Sequence, residues 1–285
     1  MDTTTRIRVL IYCRSTGTDL FRTLVSLACQ TVGPQRLNVV LASTTPQTHR
    51  TAEARLLQDS LGFKDLTVLD ASGMHPSMAL NIAALEGRED VLALAPEGSR
   101  LSPRFMHSCL KALDAKNAQA AYPLHTAGSP DATPLVRLRP FNAEQLTRCN
   151  PVGPAALVRR KAWESLGGLR PSLQLSQWDL WLRLALSGYG LVRVPELLAF
   201  CRPLHKLSPW QDGQAKALLV TSLPGAFEPD VCRWAMAHLR GDAWAQSFTT
   251  GLIPAPRDVL AMFAGLPVLQ RARPLSWNGG TILTA

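Results

Sequence analysis

The two stretches of this chain where acid–base or metal chemistry would be sought lie far apart. Glu97 stands in Pro96-Glu97-Gly98, directly after the apolar run Val91-Leu92-Ala93-Leu94-Ala95. A lone carboxylate could serve as a base or a single metal ligand. A hard divalent cation takes about six or more oxygens, several of them anionic, and neither Pro96 nor Gly98 offers one. The stretch Leu175-Ser176-Gln177-Trp178-Asp179-Leu180-Trp181-Leu182-Arg183 holds the densest mixture of polar and aromatic groups. The Gln177 amide can hydrogen-bond a hydroxyl but cannot take its proton. Asp179 can, yet two steps along a helix turn it roughly 200° from Gln177, and an acid in a first turn also stabilises the helix N-terminus. Trp178 could stack on a flat ligand face or pack, whereas Trp181 fits an apolar helix side with Leu180 and Leu184. Arg14, Arg100, Arg104, Arg159, Arg160 and Lys161 could neutralise phosphate, the guanidinium groups in bidentate fashion, or could be solvated surface charges.

Other chemistries lack their signatures. The sequence has no Gly-rich phosphate loop, no His-Glu-x-x-His and no Gly-x-Ser-x-Gly nucleophile elbow. Its six cysteines (Cys13, Cys29, Cys109, Cys149, Cys201, Cys232) are scattered without a Cys-x-x-Cys pair. That spacing predicts free thiols in a reducing compartment, the cytoplasm by default, and neither a zinc site nor a disulfide framework. The net charge of +9 suits an anionic partner such as a nucleoside diphosphate or an anionic surface. Nucleic acid is not expected, because the basic residues lack interleaved aromatics. The opening Met1-Asp2-Thr3-Thr4-Thr5 is polar, so no signal peptide is expected. No apolar run approaches the roughly 18 residues of a membrane span.

These groups need a scaffold, and hydrophobic spacing predicts one. Arg6 to Tyr12, Leu37 to Ala42, Leu66 to Leu69 and Val91 to Ala95 read as strands. Thr18 to Thr31, about 50–61, and Met78 to Leu85 read as the helices between them. Apolar strands alternating with helices predict an α/β fold with a mainly parallel sheet flanked by helices. Ligands of such sheets bind beyond the carboxyl ends of the strands, which directs attention to the segments after Ile11, Leu41 and Ala95. Residues 123–153 read as an irregular loop or flap. From about 206 the pattern changes to short helices, over Lys216–Leu223, Pro229–Leu239 and Arg257–Phe263, with a loosely held tail from Pro274. The expected division is residues 1–205 as one domain and 206–285 as a helical extension.

A series of segments in the right order resembles the family-2 glycosyltransferases over roughly residues 6–205. Leu10-Ile11-Tyr12-Cys13-Arg14-Ser15-Thr16 stands where that family opens with Ile-Ile-Pro-Thr-Tyr-Asn-Arg. Thr23-Leu24-x-Ser26-Leu27-x-x-Gln30-Thr31 matches its next helix, Gly73 with Ala79-x-Asn81 its following one, and Arg100-Leu101-Ser102-Pro103 the segment after its metal motif. Gly167-Gly168-Leu169 followed by Asp179-Leu180-Trp181-Leu182-Arg183 and the Gly188-Tyr189-Gly190 turn gives the strongest match.

This resemblance implies a type-A glycosyltransferase fold and a cleft for a nucleotide sugar and a glycan acceptor. Candidate binding residues are Arg14, Ser43, Asn81, Arg100, Arg159, Arg160, Trp178, Arg202 and His205. It also exposes departures. The family's acids before Gly-Ser, which contact the nucleotide base, correspond to Ala42-Ser43-Thr44. Its metal-holding Asp-x-Asp corresponds to Pro96-Glu97-Gly98, and the Glu-Asp pair carrying its catalytic base corresponds to Ser176-Gln177. The expectation is a degenerate transferase with no divalent-metal cofactor, acting in binding, with its C-terminal helices as a surface for a protein partner. The alternative is an active, metal-independent transferase that neutralises the diphosphate with arginines.

Overall fold

The computed structural model describes residues 5–14, 18–45, 57–126, 143–201, 207–248 and 252–265. Its strands are β1 (Ile7–Cys13), β2 (Leu37–Ser43), β3 (Asp65–Asp70), β4 (Val91–Leu94), β5 (Arg100–Leu101), β6 (Ala120–Thr126), β7 (Ala156–Arg159) and β8 (Leu191–Phe200). They form one sheet in the order β3-β2-β1-β4-β7-β6-β8-β5. β1 to β4 run parallel, as the apolar alternation predicts, with Ile7 beside both Leu37 and Val91. β7 is antiparallel between β4 and β6, β6 runs parallel to β8, and β5 closes antiparallel on β8. The sheet is therefore mixed, with parallel pairs in the majority.

The helices are α1 (Thr18–Ala28), α2 (Pro76–Leu85), α3 (Phe105–Ala115), α4 (Arg160–Ser165), α5 (Ser176–Leu186), α6 (Pro209–Ser222), α7 (Pro229–Arg240) and α8 (Pro256–Phe263). Alternation along the strands divides them between two apolar layers. Ile7, Val9 and Ile11 of β1 face Leu20, Leu24 and Leu27 of α1, together with Phe105, Met106 and Cys109 of α3. Leu10, Val40 and Leu92 face the other way, toward Leu80 and Ala83 of α2 and Trp178 and Trp181 of α5.

Two expectations change, and a third is described only in part. Residues 123–126 belong to β6, and 143–147 form a 3-10 turn, so the irregular segment is shorter than its prolines imply. The expected helix over about 50–61 is described only from residue 57, where it is helical. α6 begins at Pro209, seven residues before the predicted Lys216, because Ser208 and Gln211 form a capping box around Pro209.

The helices after residue 206 are not a separate layer. Leu219 and Val220 of α6, Trp234 of α7, and Val259 and Met262 of α8 share one buried cluster with α2 and α5. Arg170 also donates to Ser222 Oγ at 3.0 Å, and Arg148 pairs with Asp258 at 3.0 Å. Loss of a single buried tryptophan costs about 3–5 kcal/mol, a large part of a domain's net stability. A chain ending at residue 206 is thus expected to lose cooperative unfolding and to aggregate. A monodisperse truncated protein with the full-length near-UV circular dichroism spectrum would contradict this. The 205/206 boundary itself lies outside the described residues.

Candidate functional site

The carboxyl ends of β1, β2, β3 and β4 open on one edge of the sheet, where α2 and α5 begin. After β4 the chain turns through Pro96-Glu97-Gly98-Ser99. Ser99 folds back on Pro96 O through its amide at 3.1 Å and its hydroxyl at 2.6 Å. Gly98 has φ +82°, a left-handed conformation that favours glycine. Its amide donates to Thr23 Oγ1 at 3.0 Å, and that hydroxyl donates to Ser99 O at 3.0 Å. The turn is thereby pinned to α1, and it presents Glu97 to the end of β1. There Glu97 Oε2 accepts a hydrogen bond from the Arg14 backbone amide at 2.9 Å.

Arg14 is exposed, and its guanidinium carbon lies 5.8 Å from the Tyr12 ring centroid. Tyr12 in turn packs on Ala42, Ala71 and Ala79, so the pair lies on the α2 side of the sheet. Ser43 is buried, and its hydroxyl accepts from the Thr45 amide at 3.2 Å. Asp70, beside Ser43 in register, accepts from the Ser72 amide at 2.9 Å. Bonding from the Ser72 side chain and then its amide holds the Asp70 carboxyl below its usual range.

The first turns of α2 and α5 meet at this edge. Ser77 Oγ donates to Ser176 Oγ at 2.7 Å in a buried contact, and the His75 ring caps α2 by accepting from the Ser77 amide at 3.3 Å. Gln177 is half-buried one residue further along α5.

Several residues chosen from the sequence have other duties. Trp178 is a correction: it is buried, its Nε1 donates to Leu146 O at 2.7 Å, and it cannot present a face to a sugar. Its i, i+3 spacing with Trp181, which is also buried, was the signal for a shared core face. Arg159 and Arg160 are a second correction. Arg159 sits opposite Val91, at the amino end of β4 and so away from the cleft. Its guanidinium bonds Asp114 at 3.0 Å and Ala118 O at 3.2 Å. Arg160 is buried against Glu89 and donates to Ala84 O at 2.6 Å.

Asn81 is likewise occupied, donating to Leu169 O at 2.7 Å and accepting from Leu169 N at 2.9 Å. That clamp requires Gly168, whose φ is +67° and where a Cβ would fall 2.4 Å from Asn81 Oδ1. Arg104 pairs with Glu196 at 2.8 Å. Arg100 is exposed on β5. Arg202 and His205 lie outside the described residues.

Asp179 is fully buried between Arg170 and Arg183, each of which donates through Nε at 2.9 Å. Arg183 also donates to Leu166 O at 2.5 Å and Gly168 O at 2.6 Å. The acid ties the glycine turn to α5 and is not available as a base. Ser77, His75 and Tyr12 were not singled out from the sequence. Only the His-Pro step starting α2 could have pointed to that corner.

No family model matches the sequence, and no curated protein does. Solved structures do. A mannosyltransferase, PcManGT from Pyrobaculum calidifontis in complex with GDP-Man and Mn2+, superposes with a TM-score of 0.62 at 14% identity, covering 94% of this chain and 78% of that one. S. aureus TarS 1-349 superposes with a TM-score of 0.60 at 10% identity, covering 85% and 72%. The same protein in complex with UDP gives 0.57 at 13% identity. The chain has a type-A glycosyltransferase fold. The carboxyl-end rule for such sheets points to the edge formed by β1, β2, β4, α2 and α5 as the candidate cleft. Among the described residues no helix is long and apolar enough to cross a membrane. No group of three or more His, Cys, Asp or Glu side chains among them is arranged so that it could hold a metal ion.

Proposed function

We propose that this chain is a degenerate family-2-like glycosyltransferase, a binding or interaction protein in glycan synthesis that takes a nucleotide sugar weakly and without a divalent metal. The observation that carries this proposal is the state of Glu97. It is the one carboxylate at the position where a metal pair is expected, and it accepts from the Arg14 amide. A single committed carboxylate flanked by proline and glycine does not fit the oxygen shell of a hard dication. Gln177, at the base position, has no proton-accepting group at neutral pH. Calorimetry with uridine and guanosine diphosphate tests the proposal. Binding is expected to be weaker than about 10 µM and the same in manganese as in EDTA, because a site without paired carboxylates gains nothing from the ion. Manganese-dependent micromolar binding would overturn it and make Glu97 a ligand.

An active, metal-independent transferase is the alternative. It is favoured by Arg14 and Arg100, which are exposed and, among the described residues, form no ion pair with a carboxylate. We also propose the C-terminal helices as the surface for a protein partner. Leu219, Val220 and Trp234 are consumed by the core, but Leu218, Met236, Leu239, Leu260 and Phe263 remain exposed.

A further inference from the structure

Arg14 and Glu97 are held in a relation that a solvated arginine and a turn acid would not need. The turn bearing Glu97 is fastened to α1 through Thr23, so its carboxylate is offered from a fixed support. What the carboxylate binds is the main chain of Arg14, across 83 residues of sequence, and this joins the end of β1 to the segment after β4. The guanidinium itself rests over Tyr12, whose ring packs on Ala42, Ala71 and Ala79 beside the start of α2. The basic groups Arg104, Arg159 and Arg160 are paired with Glu196, Asp114 and Glu89.

We propose that Glu97 is a positioning residue for Arg14, and that Arg14 is the group that meets the diphosphate of a bound nucleotide. A dication neutralises phosphate through shared oxygens. A guanidinium does so through a planar fork of N–H donors, and it gains more when its backbone and stem are already ordered. Glu97 thus serves the diphosphate at one remove, by fixing the cation that replaces the metal. This inference rests on the nucleotide-binding function proposed above.

The experiment is calorimetric titration of uridine and guanosine diphosphate in EDTA and in manganese, with wild type, Arg14→Ala, Glu97→Ala, Glu97→Gln and the Arg14→Ala/Glu97→Ala double variant. Losing a charge-assisted hydrogen bond to phosphate should weaken binding about tenfold or more in Arg14→Ala. Glu97→Ala should weaken it several-fold, whereas Glu97→Gln should stay within about twofold, because the amide oxygen still accepts from the Arg14 N–H. In the Arg14→Ala background, removing Glu97 should cost nothing further, a coupling that general loosening of the turn would not produce. Thermal melts of each variant confirm that it is folded. Nucleotide binding that is unchanged in Glu97→Ala, or losses that add in the double variant, overturn the inference alone. A wild type that binds neither nucleotide in either buffer overturns the proposed function and this inference with it. Binding that depends on manganese and is lost equally in Glu97→Ala and Glu97→Gln makes Glu97 a metal ligand and also overturns it.

Discussion

Given UDP- and GDP-sugars, a panel of glycan acceptors and manganese, the purified protein is expected to form no glycoside above background. On the proposed function, two contributions are missing. General-base catalysis is commonly worth 10² to 10⁴-fold, about 3–5 kcal/mol of barrier. Gln177 cannot supply it, and Asp179 is locked between Arg170 and Arg183. A metal at the leaving diphosphate contributes several kcal/mol more, and Glu97 alone, bonded to the Arg14 amide, is a weak basis for one. Arg14 could make up part of the second contribution, but Gln177, at the position where the resemblance expects the base, cannot make up the first. Gln177→Ala should therefore leave any background rate where it is. Radiolabelled transfer by the wild type that Gln177→Ala abolishes would show that Gln177 orients an acceptor for some other base, and the degenerate assignment would fall.

A large effect of a single polar substitution on stability is expected at Asp179. Asp179→Ala should destabilise the fold by about 3–5 kcal/mol, the range for breaking a buried ion pair from one side. Arg183 would keep its bonds to Leu166 O and Gly168 O but lose its carboxylate. Arg170 is one-third exposed and can turn to solvent, which places the loss toward the lower end of the range. Asp179→Asn should recover part of it, since one amide oxygen still accepts. Chemical denaturation with a fitted midpoint and slope is the measurement. A loss under about 1 kcal/mol for Asp179→Ala would mean that the acid is not the link between the glycine turn and α5.

Much of the fold was legible because its first half is written in local pattern. The runs forming β1 to β4 are apolar, strand-sized and separated by helical spacing. β6 and β7 were not legible. β6 contains Pro123 and two alanines, which depress strand propensity, and β7 has only four residues. Both exist because neighbouring strands complete their hydrogen bonds. The site was read less well, and for one physical reason. A binding arginine and a structural arginine look alike in sequence when the partner is distant. Asp114 lies 45 residues from Arg159, and Glu89 lies 71 from Arg160. Trp178 was ambiguous only in isolation, since its spacing to Trp181 already places both on one helix face. That Pro96, Gly98 and Gln177 carry no carboxylate could be read directly, because a side chain's chemistry depends on no contact.

The way the cleft handles its own acids bears on the conditions under which the protein can exist. A site built from paired carboxylates is unfinished until an ion arrives: the acids repel one another, and that end of the molecule is secure only while the cell keeps the ion in supply. Here Asp70 and Glu97 each accept from a backbone amide, Ser72 for one and Arg14 for the other. On the metal-independent function proposed above, the abundance of the folded protein should not follow the cellular supply of manganese or magnesium.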